Sequence, residues 1–144
     1  MHRLIPGIVL LAGLSAVACI DNAQQAAEAR VAEFQRSADA GDLAAIRRWH
    51  DPKTAGWETY MRGRLRLGRT THTSRAHVED VRGESGRVIN LTYNTEFERG
   101  YSYERFGFVV DGTGPRLDSY NYQVGKRMEC FPMGGCDVID APRR

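Results

Sequence analysis

Charge of one sign is scarce in this chain. Its 20 Lys and Arg are interspersed with 18 Asp and Glu, leaving a formal net charge of +2. That leaves no concentrated basic face, so nucleic acid is not an expected partner. There is no G-x-S-x-G nucleophile motif, no internal repeat and no low-complexity tract, and histidine does not recur after His77. The longest apolar run, Leu4 to Ala18, falls short of the ~20 residues that a comfortable bilayer span needs. Cysteine occurs only three times, at Cys19, Cys130 and Cys136. That is too few for a disulfide-dense mini-protein, and with no histidine nearby in sequence it falls short of a zinc-binding set.

What is present begins with an address. Met1-His2-Arg3 is a short basic start, Leu4 to Ala18 an apolar segment, and Ala16-Val17-Ala18 a small-residue cleavage pattern directly before Cys19. This order reads as a signal peptide over residues 1–18. Leu14-Ser15-Ala16-Val17-Ala18-Cys19 resembles the lipobox of bacterial lipoproteins, which implies a lipidated Cys19 and a membrane anchor. Residues 19–25 then form a tether, with Ile20 tilting the expected address toward the outer membrane. Lipidation of Cys19 leaves Cys130 and Cys136 as an even pair in an oxidising compartment. Pro132 and Gly134-Gly135 allow so short a loop to close as a disulfide.

From residue 26 to 125 the pattern is that of one α+β domain, followed by a C-terminal extension over 126–144. Ala27, Val31, Phe34 and Ala38 recur at helical spacing over residues 26–40. Gly41 stops that helix, and Asp42 can cap a second one carrying Leu43, Ile46 and Trp49. A third helix is expected from Thr54 to Leu67, with Trp57, Tyr60, Met61, Arg64 and Leu65 on one face. After Gly68 the periodicity becomes alternating. Four strands follow, over residues 70–81, 87–97, 101–110 and 116–124. In the second, Ile89, Leu91, Tyr93, Thr95 and Phe97 share a face. Helices first and antiparallel strands second predict helices packed on one side of a curved four-stranded sheet.

A resemblance sharpens this. Phe34 to Pro52, centred on Ala40-Gly41-Asp42-Leu43, resembles the first helix pair of nuclear-transport-factor-like, cystatin-related cone folds. Arg64, Gly68 and Arg75 begin a longer ordered series, continued by Tyr93-Asn94-Thr95-Glu96-Phe97 and Tyr103-Glu104. Phe108-Val109-Val110-Asp111 and Leu117-Asp118-Ser119-Tyr120 complete it. The series is similar to a family of exported bacterial proteins known only as a domain of unknown function. The resemblance covers about residues 26–124 and implies a fold and an address. It brings no catalytic residues, no cofactor and no metal.

Candidate chemistry is sparse. His50-Asp51 sits at a helix end before Pro52. His72 and His77 are an odd number apart, which in a regular strand puts them on opposite faces and argues against shared metal ligation. Glu96 and Glu104 are the strand acids worth testing for acid–base work, both read as lying off the core face or in an unfixed register. Arg64, a charge on an apolar helix face, either snorkels to the rim or turns inward to Glu96, Glu104 or an anionic ligand. A structural ion pair is the preferred reading. Tyr93 and Tyr120 combine apolar area with polar tips and suit a pocket or contact surface. The expected function is non-enzymatic binding of an envelope protein or small ligand. The alternatives are a periplasmic immunity or inhibitor module facing an exported effector, and a cone-fold isomerase or lyase built on Glu96 or Glu104.

Overall fold

A computed structural model describes residues 21–49 and 56–142. The expected signal peptide, Cys19 and the His50-Asp51 pair lie outside the described residues. Three helices, α1 (Asn22–Asp39), α2 (Leu43–Trp49) and α3 (Trp57–Leu65), precede four strands, β1 (Thr70–Gly83), β2 (Gly86–Phe97), β3 (Gly100–Asp111) and β4 (Gly114–Val124). The strands form an antiparallel meander in the order β1-β2-β3-β4. The chain is thus an α+β protein with its helices ahead of an antiparallel sheet.

The helix ends follow from their residues. Gly41, at φ +70°, takes the left-handed position after α1 that costs a residue with a Cβ about 1 kcal/mol or more. Two bonds close this turn: Gly41 N–H donates to Ala38 C=O (2.9 Å) and Asp42 N–H to Ser37 C=O (2.8 Å). Asp42 then turns into a cap, its carboxylate accepting from Ala45 N–H at 2.8 Å. At the other end, α1 starts four residues earlier than the expected 26. Asp21 is the reason: it accepts the Ala23 N–H at 3.0 Å, and its carboxylate is held by Arg87 and Arg82 of the sheet. Residues 22–25, expected as tether, are therefore helix.

The buried stripe of α1 (Ala27, Val31, Phe34, Ala38) packs on the inner face of the sheet, where Ile89, Leu91, Phe97, Phe106, Phe108 and Leu117 are buried. Phe34 meets Phe106 edge-on at 5.1 Å and Tyr120 at 4.6 Å between ring centroids. Three register shifts adjust which residues face inward, one involving β4 and two on β1, where the first leaves Thr71 as an extra residue. On β4, Gly107 pairs with Ser119 but Phe108 pairs with Leu117, so Asp118 is the extra residue. That is how odd-numbered Leu117 joins even-numbered Tyr120 on one face. On β1, Arg75 pairs with Tyr93 and His77 with Thr92, leaving Ala76 as the extra residue.

The C-terminal extension folds back instead of trailing. β5 (Lys126–Cys130) and β6 (Cys136–Asp140) pair in a separate two-stranded ribbon. The Asn94 side chain docks this ribbon on the outer face of the sheet, donating to Met128 C=O and accepting from Met128 N–H, each at 2.7 Å.

Arg87 joins the start of α1 to the β1–β2 hairpin by gripping Asp21 and Asp80. Its hydrogen bonds hold both carboxyls below their ordinary value of 3.8. A carboxyl depressed in the folded state stabilises above its unfolded pKa and loses that contribution as pH falls. Arg87→Gln is therefore expected to raise both carboxyls toward 3.8 and to shift the onset of acid unfolding to higher pH, as read by carboxyl-carbon NMR titration.

Candidate functional site

Arg64 points from α3 into the protein and has no solvent exposure. Its Nε donates to Glu104 Oε1 at 3.0 Å, and Glu104 is also fully buried. The snorkelling alternative thus does not hold. Nor does the partner choice extend to Glu96: that residue pairs in register with His72 and Tyr101 on the outer face, away from Arg64. Glu104 shares the parity of Phe106, and β3 runs without a bulge from Ser102 to Gly107, so period two carries it into the core. Placing it off the core face was an error of register.

Four donors converge on Glu104. Tyr120 Oη–H donates to Oε1 at 2.5 Å, alongside Arg64. Thr95 Oγ1–H (2.7 Å) and Gln35 Nε2–H (3.3 Å) donate to Oε2. A carboxylate offers about four acceptor positions, so this one is saturated. Accepting a substrate proton would mean breaking that set. An acid–base role for Glu104 has no geometric support here, and Glu96 lies on the opposite face of the sheet.

The rest of the Arg64 guanidinium is met by weaker fields. Nη1 lies 3.8 Å from Asp39 Oδ1, too long for a hydrogen bond. The Phe97 and Phe34 rings sit 4.9 and 5.8 Å from its central carbon, within cation–π range. Asp39 in turn accepts from Thr70 N–H (3.0 Å) and Thr70 Oγ1–H (3.1 Å), tying the end of α1 to the start of β1. Burial alone would lower the Arg64 pKa, but the adjoining Glu104 charge more than reverses this and the net direction is upward. For Tyr120, burial first and the Glu104 charge second push the phenol well above 10.

Tyr93 does not join this network. It is half-buried, packs edge-on against Phe106 at 6.1 Å, and its phenol is pushed to about 12 by burial and by Glu28. Tyr60 and Tyr122 form a pair that the sequence reading passed over. Tyr122 Oη–H donates to Tyr60 C=O and Tyr122 N–H to Tyr60 Oη, each at 2.9 Å. A Cβ on Gly63 would sit 2.6 Å from the Tyr122 hydroxyl, so a glycine one turn along α3 is what admits the contact.

Away from the core, the Ala76 bulge overturns the expected placement of the histidines. With one residue inserted, His72 and His77 pair with Glu96 and Thr92, and both face outward. Cys130 and Cys136 are joined in a disulfide, opposite one another in the β5–β6 ladder. His77 stands beside it, and one of its ring nitrogens and the two sulfur atoms lie within 4.8 Å of one another, the one potential metal-binding group among the described residues. Tied together, the sulfurs are not thiolates and make poor ligands. Comparison with known proteins adds no template: no protein family, curated protein or solved structure matches the chain.

Tyrosines held neutral by burial stabilise fully below their unfolded pKa, and that contribution fades as pH rises through the folded value. Stability is therefore expected to decline above pH ~10. Tyr120→Phe should cost about 1.5–3 kcal/mol at neutral pH, the range for a hydrogen bond to a charged group, and make the alkaline decline shallower. Urea unfolding across pH 8 to 11 measures both.

Proposed function

We propose that this chain is an exported, lipid-anchored binding protein of the bacterial envelope, non-enzymatic, that engages a protein partner through its C-terminal ribbon. The observation that carries the binding half of this reading is the tip of that ribbon. Met133 is 98% exposed and Phe131 49% exposed, inside the loop that the disulfide closes, with Val138 at 43% on β6. Large apolar side chains held out on a covalently closed loop lose little entropy on docking, which favours affinity. Aromatic residues and Met are also enriched in protein interfaces. Met128, anchored to Asn94, fixes the ribbon against the sheet, so the tip is presented from a rigid base.

The address half rests on the basic start, the apolar segment and Cys19 behind Ala16-Val17-Ala18, together with the resemblance to an exported family. The saturated state of Glu104 favours this reading over the isomerase or lyase alternative. A small ligand is the second reading. It is favoured by a hollow of about 590 Å³ where the β2–β3 turn (Glu98, Arg99) meets Val124, Asp140 and Ala141, a volume in the range of small-molecule pockets.

Two outcomes are expected in the native host. Intact mass of membrane-extracted protein should show a diacyl or triacyl addition on Cys19, and a soluble species starting at an unmodified Cys19 would contradict the anchor. A photo-crosslinking residue at position 133 should trap one discrete protein. The double variant Phe131→Asp/Met133→Asp should weaken that partner by at least about 2 kcal/mol, the scale of interface hot spots, with an unchanged melting temperature.

A further inference from the structure

The Ala76 bulge does more than reverse a face. It turns His77 outward onto the disulfide, with Nδ1 at 3.5 Å from Cys136 Sγ, and it brings the Ala76 carbonyl oxygen to 3.3 Å from Cys130 Sγ. A disulfide sulfur carries no proton, so the carbonyl contact is one of packing alone. Bulges of this sort commonly re-aim a side chain next to a site of chemistry. The two sulfurs are unlike. Cys130 is exposed, whereas Cys136 is partly covered and has the imidazole against it.

That asymmetry has a chemical reading. Thiol–disulfide exchange begins when a thiolate attacks one sulfur in line with the S–S bond, and its rate rises as the departing thiolate is better stabilised. An imidazole N–H beside a sulfur lowers the cost of forming a thiolate there. Exposed disulfides are also the ones open to exchange, in contrast to those sealed in a core.

We propose that Cys130–Cys136 is an exchange site that oxidises a dithiol of another protein, with Cys130 as the attacked sulfur and His77 positioning and stabilising the departing Cys136 thiolate. In the first step a client thiolate bonds to Cys130 Sγ, the S–S bond breaks, and its electron pair leaves on Cys136 Sγ, which accepts a hydrogen bond or proton from His77. In the second step the client's other thiolate attacks the sulfur that the client contributed to the mixed disulfide. The client leaves with its own disulfide, and Cys130 departs as a thiolate. Two electrons move from the client dithiol to the cysteine pair, so each chain passes on one disulfide and is left with Cys130 and Cys136 reduced. The proposal stands apart from the partner reading above, since it depends on the bulge and the sulfurs and not on Phe131 or Met133.

The test uses the full chain as isolated from its host, folded and oxidised, mixed with excess reduced glutathione at neutral pH and quenched with an alkylating agent over time. Peptide mapping by mass is expected to place the glutathione adduct on Cys130. His77→Ala, an exposed outer-face substitution whose fold is checked by circular dichroism, should slow opening about threefold, the effect of roughly one pKa unit at a Brønsted slope of about 0.5. His77→Gln, which restores an N–H donor, should recover part of that rate. An adduct on Cys136, or equal opening rates in wild type and His77→Ala, would overturn the proposal. So would a disulfide that opens only after urea unfolds the protein.

Discussion

Taking a guanidinium and a carboxylate out of water costs several kcal/mol per ion, and Arg64 and Glu104 are both fully buried. Such a pair persists only where its geometry is good and its remaining donors and acceptors are met. Glu104 meets that condition through Tyr120, Thr95 and Gln35. Arg64 meets it in part, through Glu104, the more distant Asp39 and two aromatic rings. Those partners come from α1, β2, β3 and β4, while Arg64 itself comes from α3. The pair is therefore where the helical layer and the sheet are registered on each other, and α3 depends on it together with the Tyr60–Tyr122 contact. Replacing such a pair with apolar residues is often tolerated, whereas removing one half strands a charge. We assign it to specifying the position of α3 more than to adding net stability.

Much of the architecture was legible because it rests on local rules. Gly41 stops the helix because it lacks a Cβ and Asp42 caps the next through its carboxylate, while the stripe Ala27, Val31, Phe34 and Ala38 shows helical period directly. The alternation Ile89, Leu91, Thr95 and Phe97 likewise names its own core face. Arg64 stood out as a charge on an apolar face. The start of α1 was missed because Asp21 gains its capping role partly from Arg87, 66 residues away, a contact no local window contains.

The other misreadings trace to register. Period two puts Glu104 on the side of Phe106, and the acid was set outside the core because a buried charge is improbable until its donors are known. The histidine pair failed for the opposite reason. Counting by two is sound in a regular strand, and one inserted residue at Ala76 reverses it. Nothing in Arg75-Ala76-His77 announces a bulge, since no glycine or proline marks it. The ribbon β5–β6 was invisible as structure because its strands are five residues each and lean on Asn94 and the disulfide for order. The same insertion and the same ribbon bring His77 to the sulfurs, so the chemistry on the outer face lay in features that pattern reading cannot see.

The account turns on whether Arg64 and Glu104 act as one unit. A double-mutant cycle by urea unfolding, with Arg64→Met, Glu104→Leu and the combined variant, measures this directly. Each single substitution is predicted to cost about 3–5 kcal/mol by leaving a buried charge unpaired. The double variant should cost clearly less than the two singles added together. Additive costs would contradict the claim, and would mean that each side chain stabilises the protein through its other neighbours alone.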